Sequence, residues 1–128
     1  MKVARSTAWI GIALILSVGL IHLVDAPDSM SESVAKGISF YLNAAAAVLA
    51  AIGIYKAKIS WGWGLGAVVS VGAFIGYVVS RTVGIFGIPP DVWMEPIGIL
   101  SLIVEALFLV FFIYTTLSPK PVTATSSG

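Results

Sequence analysis

The sequence predicts an all-α protein, an antiparallel bundle of four transmembrane helices. Of its 128 residues, 59% are hydrophobic and only 10% are charged, and the mean hydropathy is +1.04. A soluble domain has about 25% charged residues, so this chain would expose a large apolar surface in water. Four apolar stretches have the length of about 20 residues that a bilayer core of about 30 Å requires.

The apolar stretches define four predicted membrane spans within one domain, residues 1–117. The spans run from Thr7 to Val24, Val34 to Tyr55, Gly62 to Val83 and Pro96 to Leu117. The segments between them, residues 25–33, 56–61 and 84–95, contain residues that end helices. Because these links are short, consecutive helices should be antiparallel neighbours. Residues 118–128, rich in Pro, Ser and Thr, predict a disordered cytoplasmic tail.

The first span has an alternative interpretation as a signal peptide, because Lys2 and Arg5 precede its apolar stretch. Its apolar run is longer than that of a usual signal peptide, and Pro27 follows the best cleavage site, Val24-Asp25-Ala26. Signal peptidase tolerates a proline there poorly. We therefore interpret this segment as a membrane span.

Charge placement predicts that both termini lie in the cytoplasm. Basic residues are retained on the cytoplasmic side of a membrane, and they flank the spans at Lys2, Arg5, Lys56, Lys58 and Lys120. The opposite loops carry five of the six acidic residues. Four tryptophans near helix ends fit an aromatic belt at the two membrane interfaces, namely Trp9, Trp61, Trp63 and Trp93. These features predict a multi-pass membrane protein.

Small residues predict where the helices meet, because helices in lipid associate through close backbone approach. Helix three carries Gly72, Gly76, Ser80 and Gly84 at intervals of four, and a second row of Gly62, Gly66 and Ser70. We expect Gly72, Gly76, Ser80 and Gly66 to be packing positions and helix three to be the central helix. The alanine-rich side of helix two should lie against it.

Polar residues inside the spans are the best indicators of function, because they are expensive in lipid and usually face a partner or a water-filled cavity. Glu105 and Asn43 each lie nine residues after a predicted helix start, so they should share a depth near the middle of the membrane. Ser101 should lie on the same helix face as Glu105. We predict a buried polar cluster in the outer half of the bundle, made of Glu105, Arg81, Asn43, Ser101, Tyr77 and His22.

Two interpretations of Glu105 remain open. It is either a hydrogen-bonded acid that fixes helix register, or a group that takes part in proton transfer, ion passage or ligand binding. Arg81 is its expected counter-ion, although the helical rise puts the two about 10 Å apart in depth.

Metal, cofactor and catalytic signals are weak. The chain has no cysteine and a single histidine, so His22 with Asp25 is only a weak candidate pair of metal ligands. A histidine hydrogen-bonded to Asp25 is the more ordinary interpretation. No phosphate loop, nucleophile elbow, HExxH or CxxC motif is present, and no mid-helix lysine could hold retinal. We expect no cofactor and no enzymatic activity, and a net charge of +1 gives no reason to expect nucleic acid as a partner.

A pattern of residues extends over nearly the whole apolar chain. It consists of His22, Asn43-Ala44-Ala45, Ser80-Arg81-Thr82-Val83-Gly84, Pro89-Pro90, Trp93-Met94-Glu95-Pro96-Ile97-Gly98 and Ser101-Leu102-Ile103-Val104-Glu105. This pattern resembles an uncharacterised family of small four-helix membrane proteins of bacteria and archaea. The resemblance implies a location in a prokaryotic plasma membrane, and it implies no activity. It implies that the residues that matter are His22, Asn43, Arg81, Glu95 and Glu105.

The sequence favours a non-enzymatic accessory or structural component of a membrane complex, because the chain has little extramembrane mass and no complete catalytic set. The alternative is a small transporter or proton- or ion-conducting protein that uses Arg81 and Glu105. The expected partners are the lipid bilayer and either further copies of this chain or a larger membrane complex.

Overall fold

A computed structural model describes residues 5–56 and 59–117, which form four antiparallel helices. These are α1 (Arg5–Glu32), α2 (Val34–Tyr55), α3 (Ile59–Thr82) and α4 (Pro96–Leu117). All four are long and apolar enough to cross a membrane, which confirms the predicted all-α, four-span architecture. The cytoplasmic location of the termini stays a prediction, and the predicted tail, 118–128, lies outside the described residues. We call the end of the bundle where α1 ends and α4 begins the distal end, and the opposite end the proximal end.

The first helix is longer than predicted, because α1 continues to Glu32 through the segment expected to be a loop. Pro27 and Asp28 suggested a turn, but both are exposed, so the proline ring is not forced into a neighbouring helix. The opposite face of the same segment is packed, with Ala26 and Ser29 almost fully buried. Burial of this face holds the last turns helical despite the proline, and the prediction of a loop over 25–33 was wrong.

A single residue, Ser33, joins α1 to α2. Its backbone is extended, and its hydroxyl accepts a hydrogen bond from the amide of Lys36, so it caps α2. The sharp turn brings the two backbones together: a methyl group added to Gly37 would lie 2.6 Å from the Cα of Met30. This turn fixes the register of α1 and α2.

The four helices form a ring in which none is central. Helix α2 packs against α1 and α3, α4 packs against α3 and α1, and within the described part of the chain α2 and α4 do not meet. Helices α1 and α3 touch across the ring, where Gly11 faces the Trp63 ring. The expectation of a central helix three was therefore wrong. The alanine face of α2 meets α1, where Ala47 lies against Gly19.

The proximal half of the bundle is filled by aromatic rings that fit against glycines. Trp63 and Phe108 are 1% and 0% exposed and stack with ring centroids 5.4 Å apart. Gly11 lies against Trp63 and Gly66 against Phe108, so that a methyl group at either glycine would overlap the ring. Trp63 is thus a core residue rather than the interfacial anchor expected from its position near a helix end.

The segment between α3 and α4 folds back on the distal end of the bundle. Gly84, with φ of +85°, ends the helical path of α3, and a side chain there would meet the carbonyl of Ile88. Ile85 and Ile88 then exchange two backbone hydrogen bonds across Phe86 and Gly87, both with positive φ. Positive φ at both central residues is the geometry of a type I′ turn. Gly84 therefore belongs to this turn and not to a helical packing row. After the turn, Pro96 begins α4 as predicted.

Candidate functional site

A cavity of about 550 Å³ occupies the distal half of the bundle. All four helices and the α3–α4 segment contribute to its lining. Its volume lies within the range of about 300–1,000 Å³ that small-molecule sites have in proteins. The bundle therefore has a packed proximal half and a hollow distal half.

The hollow exists because two glycines of α3 leave space. Added methyl groups at Gly72 and Gly76 would find no atom within 4 Å, and both residues line the cavity. Predicting these two as packing positions was wrong: the row that contains them faces the cavity, whereas Gly62 and Gly66 of the other row make the close contacts. Gly66 lies against the ring of Phe108 on α4.

Ser80, the fourth predicted packing residue, contacts the loop rather than a helix. Its hydroxyl donates to the carbonyl of Tyr77 at 2.8 Å and accepts from Arg81. Its own carbonyl accepts from the amide of Asp91. Ser80 therefore helps to attach the α3–α4 segment to the distal end of α3.

Helix register places Asn43, Gly72 and Glu105 at one level of the cavity. Gly53 of α2 touches Gly62 of α3. Asn43 lies ten residues from Gly53 toward the distal end, and Gly72 lies ten residues from Gly62 in the same direction. Gly66 of α3 contacts Phe108 of α4, and Gly72 lies six residues distal to Gly66. Six residues distal to Phe108 lies the turn of α4 between Ser101 and Glu105, so Gly72 is level with that turn. Asn43 and Glu105 both lie nine residues, about 14 Å, from the distal starts of their helices. They line the inner end of the cavity.

Glu105 is 1% exposed, and only one of its two carboxylate oxygens has a hydrogen-bond partner among the described residues. Ser101 donates its hydroxyl hydrogen to Oε1 at 2.6 Å, as the four-residue spacing predicted. Among the described residues, the buried Oε2 has no hydrogen-bond partner, and the same holds for Oδ1 of Asn43 and for the hydroxyl of Ser70, which does not line the cavity. Leaving a buried polar atom unsatisfied costs about 1–3 kcal/mol, and more for a charged group. Two such atoms on one cavity are a strong sign that something else binds there.

Arg81 does not pair with Glu105. Its Nη2 lies 3.0 Å from Oε2 of Glu95, its Nε donates to the carbonyl of Val92, and its guanidinium stacks 3.7 Å from the ring centre of Tyr77. Tyr77 in turn donates its hydroxyl hydrogen to the carbonyl of Trp93. Arg81 and Tyr77 line the cavity, but their polar contacts hold the α3–α4 segment against α3. The expected Arg81–Glu105 pair was wrong, because the guanidinium finds its partners at its own depth.

His22 lines the same cavity, and its hydrogen bond differs from the expected one with Asp25. Nδ1 lies 2.8 Å from the carbonyl of Val18 on its own helix. A carbonyl oxygen can only accept, so Nδ1 carries the hydrogen, and Nε2 of the neutral ring is then an acceptor. The ring packs edge-on against Phe40. His22 is 8% exposed, so it is a largely buried member of the polar cluster.

The cavity lining contains more acidic than basic residues. It is lined by all six acidic residues of the chain and by two of its seven basic ones. Both basic residues are already paired, Lys36 with Glu32 at 2.5 Å and Arg81 with Glu95. Full ionisation would give the lining a formal charge of −4. Low-dielectric walls concentrate such a field and raise the local concentration of cations.

The acids are not arranged as a metal site. In the ranges 5–56 and 59–117, no group of three or more histidine or carboxylate side chains is placed to hold a metal ion. The pair of His22 and Asp25 gains no third ligand. The walls between the acids include aliphatic and aromatic side chains such as Phe40, Val69 and Ile97. This mixture suits an organic cation better than a bare metal ion.

The sequence indicated the members of the cluster but not the cavity. Glu105, Arg81, Asn43, Ser101, Tyr77 and His22 all line it. Asp28, Glu32 and Asp91 line it too, and they were interpreted only as loop charges that set orientation. The signal that could have identified them is that the acidic residues lie near the distal ends of the spans, but the length of α1 was needed to bring them together.

Comparison of the chain with protein-family models, with curated proteins and with solved structures finds no match. The resemblance to a family of small four-helix membrane proteins stays a prediction. The role of the site is therefore inferred from its own residues.

Proposed function

We propose that this multi-pass membrane protein is a small transporter or conducting protein for a cation, which enters the distal cavity and binds at Glu105. The observation that carries the proposal is that Glu105 lines the cavity and that its buried Oε2 has no hydrogen-bond partner among the described residues. A charged side chain in the middle of a membrane costs about 3 kcal/mol or more and commonly marks the path of an ion or substrate. A bound cation supplies the missing partner.

The two halves of the bundle support a carrier rather than an open pore. The cavity is lined down to Glu105, and proximal to it Trp63 and Phe108 fill the space between the helices. A cation attracted by the acidic lining would reach Glu105 and stop there. Passage to the other side would require these aromatic rings to move.

An accessory or structural role in a membrane complex is the competing proposal. It rests on the small extramembrane mass of the chain, and assembly with further copies or with other subunits belongs to it. Both proposals are non-enzymatic, and both place the protein in a prokaryotic plasma membrane, as the resemblance to proteins of bacteria and archaea implies. Co-purification with fixed partner proteins in mild detergent would favour the accessory role.

Cation uptake into liposomes tests the transport proposal. Purified protein is reconstituted, an inside-negative potential is imposed with valinomycin, and uptake of protons, sodium and methylammonium is measured. We expect at least one probe to enter faster than in protein-free vesicles. Glu105→Gln should lower that rate at least about tenfold, because a hydrogen bond to a charged group contributes about 1.5–3 kcal/mol.

The matched control is Gly64→Leu. Gly64 lies on α3, has no atom within 4 Å of an added methyl group and does not line the cavity. Gly72→Leu places the same side chain inside the cavity, so we expect it to block uptake while Gly64→Leu leaves uptake unchanged. Uptake at the wild-type rate by Glu105→Gln, or no uptake of any probe, would overturn the proposal.

A further inference from the structure

Three residues that line the cavity, each from a different helix, carry an acceptor atom with no hydrogen-bond partner among the described residues. These atoms are Oδ1 of Asn43 on α2 and Oε2 of Glu105 on α4, which are both buried, and Nε2 of His22 on α1, whose Nδ1 is bonded to Val18. Asn43 and Glu105 lie about 14 Å, and His22 about 15 Å, from the distal ends of their helices at 1.5 Å per residue. All three residues line the cavity at one level.

Among the described residues, several donors that line the cavity are already bonded to other acceptors. The hydroxyl of Ser101 is used on Oε1 of Glu105, and the guanidinium of Arg81 is bound to Glu95, Ser80 and Val92. Lys36 is bound to Glu32 near the distal end. The missing chemistry is thus a positively charged group with several N–H donors.

We propose that the cavity binds a primary aliphatic amine in its protonated form, with the ammonium group at Glu105, Asn43 and His22. An ammonium group carries three N–H donors, one for each of the three acceptors. The acidic lining attracts its charge, and apolar side chains such as Phe40, Val69 and Ile97 contact its hydrocarbon part. Gly72 and Gly76 leave the space that the ligand fills. The inference deepens the proposed function and rests on it, because the ligand would be the transported cation.

Two isomeric cations separate hydrogen bonding from charge and size. Butylammonium and tetramethylammonium have the same atoms and the same charge, but only butylammonium has N–H donors. Binding to the full-length protein in lipid nanodiscs is measured by calorimetry, with n-butanol as the uncharged chain of the same length. We expect butylammonium to bind at least about tenfold more tightly than tetramethylammonium, which corresponds to about 1.4 kcal/mol, and butanol to bind more weakly still.

Variants of two of the three acceptor residues, Glu105 and Asn43, test whether these residues cause the preference for butylammonium. Glu105→Gln and Asn43→Ala should each remove most of the advantage of butylammonium, and Gly72→Leu should abolish binding of both cations. Gly64→Leu should bind as the wild type does and shows that a leucine on α3 does not by itself disturb the bundle. Thermal unfolding of each variant distinguishes a lost ligand contact from a lost fold.

The outcomes separate this inference from the proposed function. Equal affinity for the two isomers, or a butylammonium preference that survives Glu105→Gln, overturns the amine site. If no amine binds while protons or sodium still enter liposomes in a Glu105-dependent manner, the inference fails and the transport proposal stands. If butylammonium binds selectively but no cation crosses the membrane, the site stands and transport fails.

Discussion

Replacement of Gly66 and Gly72 by alanine should have opposite effects on stability, although both lie on the same helix. A methyl group at Gly66 would lie 2.4 Å from Cζ of Phe108, a ring that is fully buried and stacked on Trp63. The ring cannot move away, so overpacking should cost about 1–3 kcal/mol. A methyl group at Gly72 meets nothing within 4 Å.

The difference between the two variants isolates the overpacking. Each gains about 1 kcal/mol of helix propensity when glycine becomes alanine, so this term cancels. Gly66→Ala should therefore be about 1–3 kcal/mol less stable than Gly72→Ala. Equilibrium unfolding by dodecyl sulfate in mixed micelles, followed by tryptophan fluorescence, measures both values.

Gly64→Ala is the control, since its methyl group also meets no atom within 4 Å, and it should match Gly72→Ala. Equal stability of Gly66→Ala and Gly72→Ala would refute the division into a packed half and a hollow half. Greater destabilisation at Gly72 would mean that this glycine row is a helix contact, as its spacing alone suggested.

Three further changes probe the contacts around the cavity. Ser101→Ala leaves Oε1 of Glu105 without its donor and should lower the free energy of unfolding by about 1–3 kcal/mol in the same micelle assay; an unchanged value would mean that the hydrogen bond contributes little. Arg81→Ala should remove the contacts of α3 with Glu95 and Val92 of the α3–α4 segment, so backbone amides of that segment should exchange hydrogen faster, whereas unchanged exchange would assign its attachment to other contacts. Phe108→Ala removes a fully buried ring and should cost about 3–5 kcal/mol, and a cost below 1 kcal/mol would show that the proximal core is loosely packed.

The architecture could be predicted from sequence because the solvent is lipid. Twenty-residue apolar stretches and helix-ending residues specify spans with little ambiguity, and Pro96 as the start of α4 followed from the chemistry of its ring. The ring chemistry of Pro27 led to the wrong prediction of a loop, because the effect of a proline also depends on its surroundings. Pro27 is exposed on a helix whose other face is packed through Ala26 and Ser29.

The residues of the polar cluster could be predicted from the sequence, but the cavity that they line could not. The shared depth of Asn43 and Glu105 could be predicted from their equal distance in sequence from the helix starts, because the rise per residue of a helix is constant. The pairing of side chains on different helices depends on how each helix is rotated about its own axis, which the sequence does not determine. Arg81 therefore pairs with Glu95 and not, as expected, with Glu105. Glycine rows have the same spacing whether they touch a helix or border a cavity, so Gly66 and Gly72 could not be told apart.

The central claim is that a cavity lined near the distal end by Asp28, Glu32 and Asp91 reaches the level of Glu105, and thiol accessibility tests it most directly. The chain has no cysteine, so Gly72→Cys and Gly64→Cys each carry one thiol, which is exposed in intact cells to a small, charged, membrane-impermeant thiol reagent. The account predicts that Gly72→Cys reacts readily from outside the cell, that butylammonium slows this reaction, and that Gly64→Cys reacts slowly. Equally slow reaction of the two thiols, from either side of the membrane, would contradict it.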